Sequence, residues 1–175
     1  MIILFVGGMG SGKTLSMTKH LHEDCMAKKE IYTNYRLTFG NPTYLTAGFF
    51  KNYKDFNVKN ASIAIDEAHV FIDSRSSQSK KNKMFTRFIT QSRKRAVTLY
   101  CTTQHFRQVD VRLRNLADLV VECRRVISGN VHYVKNDYYR WQSLGFVRFR
   151  TSCFTAAPIY PLYDTTEIID FDEDG

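Results

Sequence analysis

Gly7-Gly8-Met9-Gly10-Ser11-Gly12-Lys13-Thr14 is the stretch whose residue types and spacing most directly imply chemistry. It fits GxxxxGK[ST], in which glycines let backbone N–H groups turn inward on phosphates, a lysine reaches the outer phosphates and a hydroxyl ligates Mg2+. Lys13 and Thr14 take the last two roles, and the stretch expected to contact ATP runs from Gly7 to Leu15. A glycine-rich turn that binds nothing is the bland alternative, and both flanks oppose it. The second constellation is Asp66-Glu67, at the end of an apolar run fifty-two residues after Thr14. Asp66 suits a carboxylate that holds Mg2+ through its water shell, and Glu67 a general base that takes a proton from the attacking water. Acids at strand ends also serve as helix caps or solvated turns, and the phosphate loop favours the catalytic reading. His69 follows closely, to contact the site or simply to pack.

In Val97-Thr98-Leu99-Tyr100-Cys101-Thr102-Thr103-Gln104 an apolar run ends in hydrogen-bonding side chains. Gln104 is there the candidate sensor of a γ-phosphate or its attacking water. Charge on a transferring phosphoryl group calls for an arginine from the same chain or a neighbour. Arg93 and Arg95 are the first candidates, Arg112 and Arg114 the reserve, and each is equally readable as a surface arginine in a weak ion pair.

The elements that must position these groups follow from the apolar pattern. Ile2 to Val6 reads as a strand buried on both faces, and Met17, Leu21 and Cys25 mark one face of a helix over about Lys13 to Lys28. Ile31 to Tyr35, Ser62 to Asp66 and Val97 to Cys101 read as further strands. Gly40 to Asn60 reads as loop, with a short helix around Thr46 to Tyr53. Phe85, Phe88, Ile89 and Ser92 share a face of a helix from Met84 to Arg95, and Val109 to Leu116 forms a shorter one. Ser128-Gly129-Asn130 is a turn joining Leu119–Cys123 to Val131–Tyr139 as a hairpin. From Phe146 to Thr151, Val147 and Phe149 fall on one face and Arg148 and Arg150 on the other. The fold expected is α/β: a mainly parallel sheet with helices on both faces and a C-terminal antiparallel extension. One domain spans residues 1–163, and 164–175 form an acidic tail, poorly packed.

Composition is consistent with this. The chain has 175 residues, 43% of them apolar, enough for one substantial core. No apolar stretch approaches the roughly 18 residues of a membrane span, and no signal-peptide pattern opens the chain, so a cytoplasmic protein is expected. Cys25, Cys101, Cys123 and Cys153 show no zinc spacing and read as buried free thiols. The net charge is +8, with thirteen lysines and arginines against three acids between Arg75 and Arg125. A polyanion partner and a solvated charged face both explain that. Within it, Ser74 to Lys83 is an almost wholly polar loop, carrying Arg75, Lys80, Lys81 and Lys83, that reads as a DNA contact or a simple connector.

The succession GGMGSGKT, SIAIDEAH and SRKR before VTLYCTTQ resembles the FtsK/HerA superfamily of DNA-pumping P-loop ATPases, which includes virus genome-packaging ATPases and the Zot-like proteins of filamentous phages. SGKTLSMTKHL followed by IYTNYRL looks particularly Zot-like. The resemblance covers about Ile2 to Cys123. It implies a RecA/ASCE-like sheet, Lys13 and Thr14 on nucleotide and metal, Asp66 on metal, Glu67 as base, Gln104 as sensor, and Arg93 or Arg95 as a finger acting on a neighbour. It also implies a homo-oligomeric ring, commonly a hexamer, with DNA through its centre, working with a capsid or membrane protein of a virus in the host cytoplasm. Zot-like proteins generally carry a membrane-spanning helix and this sequence shows none, which points to a soluble motor packaging a viral genome, with phage assembly or export as the alternative.

Other phosphate-loop proteins fit less well. A small-molecule kinase has no need of Glu67 beside the metal acid. A regulatory GTPase needs NKxD, whereas the Asn82-Lys83 pair is followed by Met84-Phe85. An assembly protein that uses ATP only to lock a ring stays open.

Overall fold

The structure, a computed structural model, describes residues 1–46, 49, 58–68, 88–90, 95–108, 111–142 and 145–165. The expected helix before Arg95 is represented there by 88–90, which are helical, and the polar loop between Ser74 and Lys83 lies outside the described residues, as do His69 and Arg93.

Ile2–Val6 forms β1 at the centre of the sheet. Its residues alternate between two cores: Ile2 and Leu4 join one, Ile3 and Phe5 the other. A strand covered on both sides has no polar face, which is why it reads as an unbroken apolar run. β4 (Ala61–Ile65) and β5 (Thr98–Thr103) are likewise buried along their whole length, their serine and threonines included. With β2 (Glu30–Thr33), β3 (Thr43–Tyr44), β6 (Leu119–Ser128), β7 (Val131–Gln142) and β8 (Gly145–Thr155), the described strands form one sheet in the order β3-β2-β4-β5-β1-β6-β7-β8. Every pairing from β3 to β6 is parallel, and the β6–β7 and β7–β8 pairs are antiparallel. This is the mainly parallel α/β sheet with an antiparallel extension that the sequence predicts.

Helical residues cover both faces. α1 (Lys13–Met26) lays Leu15, Met17 and Leu21 on the face of Ile3 and Phe5, while Leu113 of α2 (Val111–Leu116), with Phe88 and Ile89, packs on the face of Ile2 and Leu4. Asp24 pins α1 to the sheet by accepting from Ser62 Oγ at 2.5 Å and Tyr100 OH at 2.7 Å and pairing with Lys29 at 2.7 Å.

Four details differ from expectation. The edge strand Thr43–Tyr44 lies within a stretch read as loop, because two residues carry no periodicity. β2 stops at Thr33 rather than Tyr35, since Asn34 leaves the ladder to bond Asp66. β6 runs on through Arg124–Ser128, where antiparallel pairing with β7 leaves the polar residues exposed. The alternation expected around Phe149 is broken by a bulge: the register shifts between Tyr138 and Tyr139. Arg148 therefore meets Asp137 at 3.6 Å, while Arg150 lies over the ring of Tyr138, which points to the opposite face of β7. All four cysteines are free, Cys101 and Cys123 buried as expected but Cys25 half-buried and Cys153 exposed.

Candidate functional site

The loop after β1 turns where glycine is required. Gly10 and Gly12 have φ of 71° and 91°. A Cβ on Gly12 would lie 2.7 Å from Val134 Cγ2, and one on Gly7 would lie 2.6 Å from the Cys123 carbonyl, so the loop fits against β6 and β7 only without side chains. Gly12 is the N-cap of α1, with no side chain capping it and no acid in the first turn. The helix therefore presents its N-terminal N–H groups and dipole to the cleft, the arrangement that binds anions. Lys13, only 6% exposed, rests its ammonium on the Gly8 carbonyl at 3.1 Å.

Asp66 follows β4 and is separated from the loop strand by β5. Thr14 Oγ1 lies 3.1 Å from both Asp66 carboxylate oxygens. Thr102, near the end of β5, donates to Asp66 Oδ1 at 2.5 Å, and its own oxygen accepts the Glu67 N–H at 2.8 Å. Asn34 brackets the same turn, its side chain accepting the Asp66 N–H at 2.7 Å and donating to the Asp66 carbonyl at 3.0 Å. Burial pushes the Asp66 pKa up, and the nearby Glu67 adds to this; the Thr102 and Thr14 hydroxyls and the Lys13 charge pull against it. Glu67 has φ of 50°, a left-handed conformation that costs a side-chain-bearing residue about 1–2 kcal/mol. Thr102 and Asn34 hold the turn in that shape.

One cleft of about 280 Å3 gathers Gly10, Gly12, Lys13, Thr14 and Leu15 with Glu67 and Gln104. Met9 also lines it, 87% exposed. Gly7 and Gly8 line an adjoining hollow that shares Gln104, and Ser11 Oγ is buried with no hydrogen-bond partner among the described residues. Of the site residues expected from sequence, Lys13, Thr14, Leu15, Glu67 and Gln104 thus share one cleft with Asp66 against Thr14, and the described arginines Arg95 and Arg114 stand apart from it. Arg95 lies at the opposite end of the parallel strands, before β5, its carbonyl accepting from Asn60 just before β4, far from its own phosphate loop. Arg114 lies over Phe106 at 5.7 Å and does not line the cleft.

Sequence reasoning missed several groups. Arg125 lines the cleft from β6, its Nη2 2.8 Å from His132 Nδ1, and Tyr160, Tyr163 and Thr165 close it from the segment after β8. Main-chain bonds from Ala156 to His132, Thr38 to Leu162 and Asp164 to Arg36 fasten that segment, so Asp164, the first residue expected in the tail, is tied to the domain. No local pattern marks these residues, since they come from the antiparallel ribbon and an irregular strap. Asn34 and Thr102 had a weak signal, as short polar residues at ends of apolar strands beside the two motifs.

Among the described residues no group of three or more His, Cys, Asp or Glu could hold a metal. The donors present are one hydroxyl and one carboxylate in contact, a hard-oxygen pair that suits Mg2+ shared with phosphate and water rather than a protein cage.

The family described as Zonular occludens toxin (Zot) matches residues 43–166. The chain belongs to the Zot family. The N-terminal domain of zonular occludens toxin from Neisseria meningitidis is similar at 20% identity and a TM-score of 0.67, over 93% of this chain and 98% of that one. The genome packaging NTPase B204 from Sulfolobus turreted icosahedral virus 2, in complex with ATP-gammaS, is similar at 12% identity and a TM-score of 0.59, over 85% and 96%. The flagellar accessory protein FlaH from Methanocaldococcus jannaschii reaches 12% and 0.56, over 85% and 89%. These likenesses establish the P-loop NTPase fold. No curated protein matches the chain in sequence. Among the described residues no helix is long and apolar enough to cross a membrane.

Proposed function

We propose that this Zot-family chain is a Mg2+-dependent ATPase whose hydrolysis drives DNA during virus assembly. The observation that carries it is the convergence of Lys13, Thr14, Glu67 and Gln104 on one cleft at the uncapped end of α1, with Asp66 against Thr14. Backbone N–H groups of Gly10 to Lys13 and the Lys13 ammonium hold the phosphates. Thr14 and Asp66 would hold Mg2+, which would supply charge neutralisation at the transferring phosphoryl group. Glu67, set in its turn by Thr102, takes the proton from the attacking water, and Gln104 orients that water. Arg125 adds the second cation lining the cleft.

The basic excess between Arg75 and Arg125 supports a DNA partner. Two forms of the work remain. Packaging a genome into a capsid is supported by likeness in fold to B204, and assembly or export of a phage by family membership. We favour the second, because membership rests on sequence over most of the chain whereas the packaging likeness is one of fold. The described helices do not separate the two. Arg95, remote from its own cleft, suits a finger that acts on a neighbour, which requires a ring, commonly of six.

The deciding experiment is ATP hydrolysis with and without DNA, at rising protein concentration. DNA-stimulated turnover that grows per subunit with concentration and vanishes in Lys13→Ala supports the motor. Hydrolysis indifferent to DNA would leave only a nucleotide-gated assembly protein.

A further inference from the structure

The strap after β8 meets the nucleotide cleft on one side and the chain beyond β2 on the other. On the cleft side Tyr160, Tyr163 and Thr165 line the wall with Arg125, Val134 and Ala156. On the far side the strap is zipped to residues 35–38. Leu37 and Tyr163 form an antiparallel bridge, where the Asp164 N–H reaches the Arg36 carbonyl at 3.2 Å and the Thr38 N–H the Leu162 carbonyl at 3.1 Å. The Thr38 hydroxyl adds a bond to the Pro161 carbonyl at 2.8 Å. Tyr35, only 2% exposed, packs edge-on against the Tyr163 ring at 6.1 Å between centroids, and its hydroxyl lies 3.0 Å from Thr18 Oγ1 of α1.

The residue before Tyr35 is Asn34, whose side chain takes both the N–H and the carbonyl of Asp66. Strap and catalytic turn therefore hang on adjacent residues of one short segment. That segment is stiff: Thr33 Oγ1 donates to the Tyr35 carbonyl and accepts the Tyr35 N–H, each at 3.3 Å. The turn is an element such a connection can bias. Glu67 is left-handed at φ of 50°, a conformation that a residue with a side chain keeps only where its surroundings impose it. Thr102 grips the turn from β5, inside the sheet, and Asn34 grips it from a segment whose other partner is the strap. With the γ-phosphate at Glu67 and Gln104, the nucleoside extends over the remaining walls of the cleft, which are β6, β7 and the strap.

We propose that Tyr163 is a positioning residue through which the nucleoside sets the Asp66–Glu67 turn, by way of Tyr35 and Asn34. Phosphates and nucleoside are then read separately: the phosphate loop binds a triphosphate chain, and the strap brings the turn into working shape when that chain carries a nucleoside. The effect on turnover rests on the ATPase reading above; the effect on the turn does not.

Tripolyphosphate carries the phosphates of ATP without the nucleoside, so its hydrolysis beside that of ATP, each with Mg2+ and the full chain, isolates the strap. In wild type kcat should be about tenfold higher for ATP, within the usual range of coupling between two sites. Tyr163→Ala should erase that ratio, and Tyr163→Phe, which keeps the ring against Tyr35, should restore most of it. A residue that merely supports the fold would slow both substrates alike and keep the ratio. Asn34→Ala should erase the ratio too, and adding Tyr163→Ala to it should take away nothing more, because links of one chain are not additive. The turn itself is followed without hydrolysis by NMR. Exchange of the Asp66 N–H should slow about tenfold when the β,γ-methylene analogue of ATP binds wild type, and should not slow with tripolyphosphate or in Tyr163→Ala. If wild type hydrolyses ATP and the ratio is near one, or survives Tyr163→Ala, the link is overturned and the ATPase reading stands. If wild type hydrolyses neither substrate, the ATPase reading fails and exchange decides: slowing that Tyr163→Ala abolishes keeps the link, and equal exchange in the two proteins overturns it.

Discussion

In the parallel part of the sheet β1, β4 and β5 are buried along their length, and the groups able to act stand just past their ends. In the ribbon of β6 to β8 the reverse holds: Glu122, Arg124 and Arg125 sit along the strand itself, because antiparallel strands past the last covering helix keep faces open to water. The comparison teaches how one sheet divides labour. Covered strands fix atoms to within a hydrogen bond, as with Thr14, Asp66 and Thr102, and such precision is what hydrolysis requires. Open strands supply surface: a wall for the nucleotide, from Arg125 and Val134.

If that division is right, the largest losses come from the ends of covered strands. Glu67→Gln keeps the shape of the turn but cannot take a proton, so turnover should fall about 10²- to 10⁴-fold while ATP affinity holds. Steady-state hydrolysis beside equilibrium nucleotide binding measures both, and a rate equal to wild type would remove Glu67 from the chemistry. Thr102→Val is the sharper probe of positioning. It preserves volume but takes away the hydroxyl that joins Asp66 Oδ1 to the Glu67 N–H, leaving both groups short of a partner. A fall of about 10- to 100-fold in turnover is expected, with about 1–3 kcal/mol of stability lost in denaturant unfolding. Loss of stability with unchanged turnover would make Thr102 a structural residue only.

The same contrast explains what could be read from sequence. The phosphate loop, Asp66-Glu67 and Gln104 were legible because each follows an apolar run that must be a covered strand, and position in such a strand translates directly into position at the site. Arg125 was not. Its neighbours Arg124 and Val126 are exposed like itself, so no pattern told which side of β6 faces the cleft. The register came from pairing with β7, a contact between distant residues that sequence does not display. Tyr160 and Tyr163 were hidden for a related reason: the strap has no period, and its path is set by main-chain bonds to His132, Thr38 and Arg36 and by packing of Ile159 and Tyr163 on the core, contacts between distant residues. The bulge at Phe149 shows the limit within a single strand, where one inserted residue undid a clean alternation.

A smaller effect is expected from the wall. Arg125→Ala should weaken binding of ATP about tenfold, the scale of one charge-assisted hydrogen bond, with turnover at saturation little changed. His132→Ala, which removes only the group 2.8 Å from the guanidinium, should do less. Titration with a fluorescent ATP analogue distinguishes them. A drop in saturated turnover from Arg125→Ala would instead put this open strand inside the chemistry and break the division of labour.

The smallest effect belongs to Asp24, which supports the covered half without reaching the cleft. Burial raises its pKa, but hydrogen bonds from Lys29, Ser62 and Tyr100 outweigh burial and hold the carboxyl below its usual value. A group whose folded pKa is depressed contributes stability above its unfolded pKa, near 4, and loses it as pH falls through the lower folded value. The side chain is 15% exposed and Lys29 26%, so screening limits the contribution to about 1 kcal/mol. Asp24→Asn keeps an oxygen for Ser62 and Tyr100 but gives up the charge facing Lys29. At neutral pH it should lower the melting temperature by about 2–4 °C. Near pH 3 the gap should narrow, since wild-type Asp24 is then losing the same charge. A gap of equal size at both pH values would show that the shape of the junction between α1 and the sheet, and not its charge, holds the covered half together.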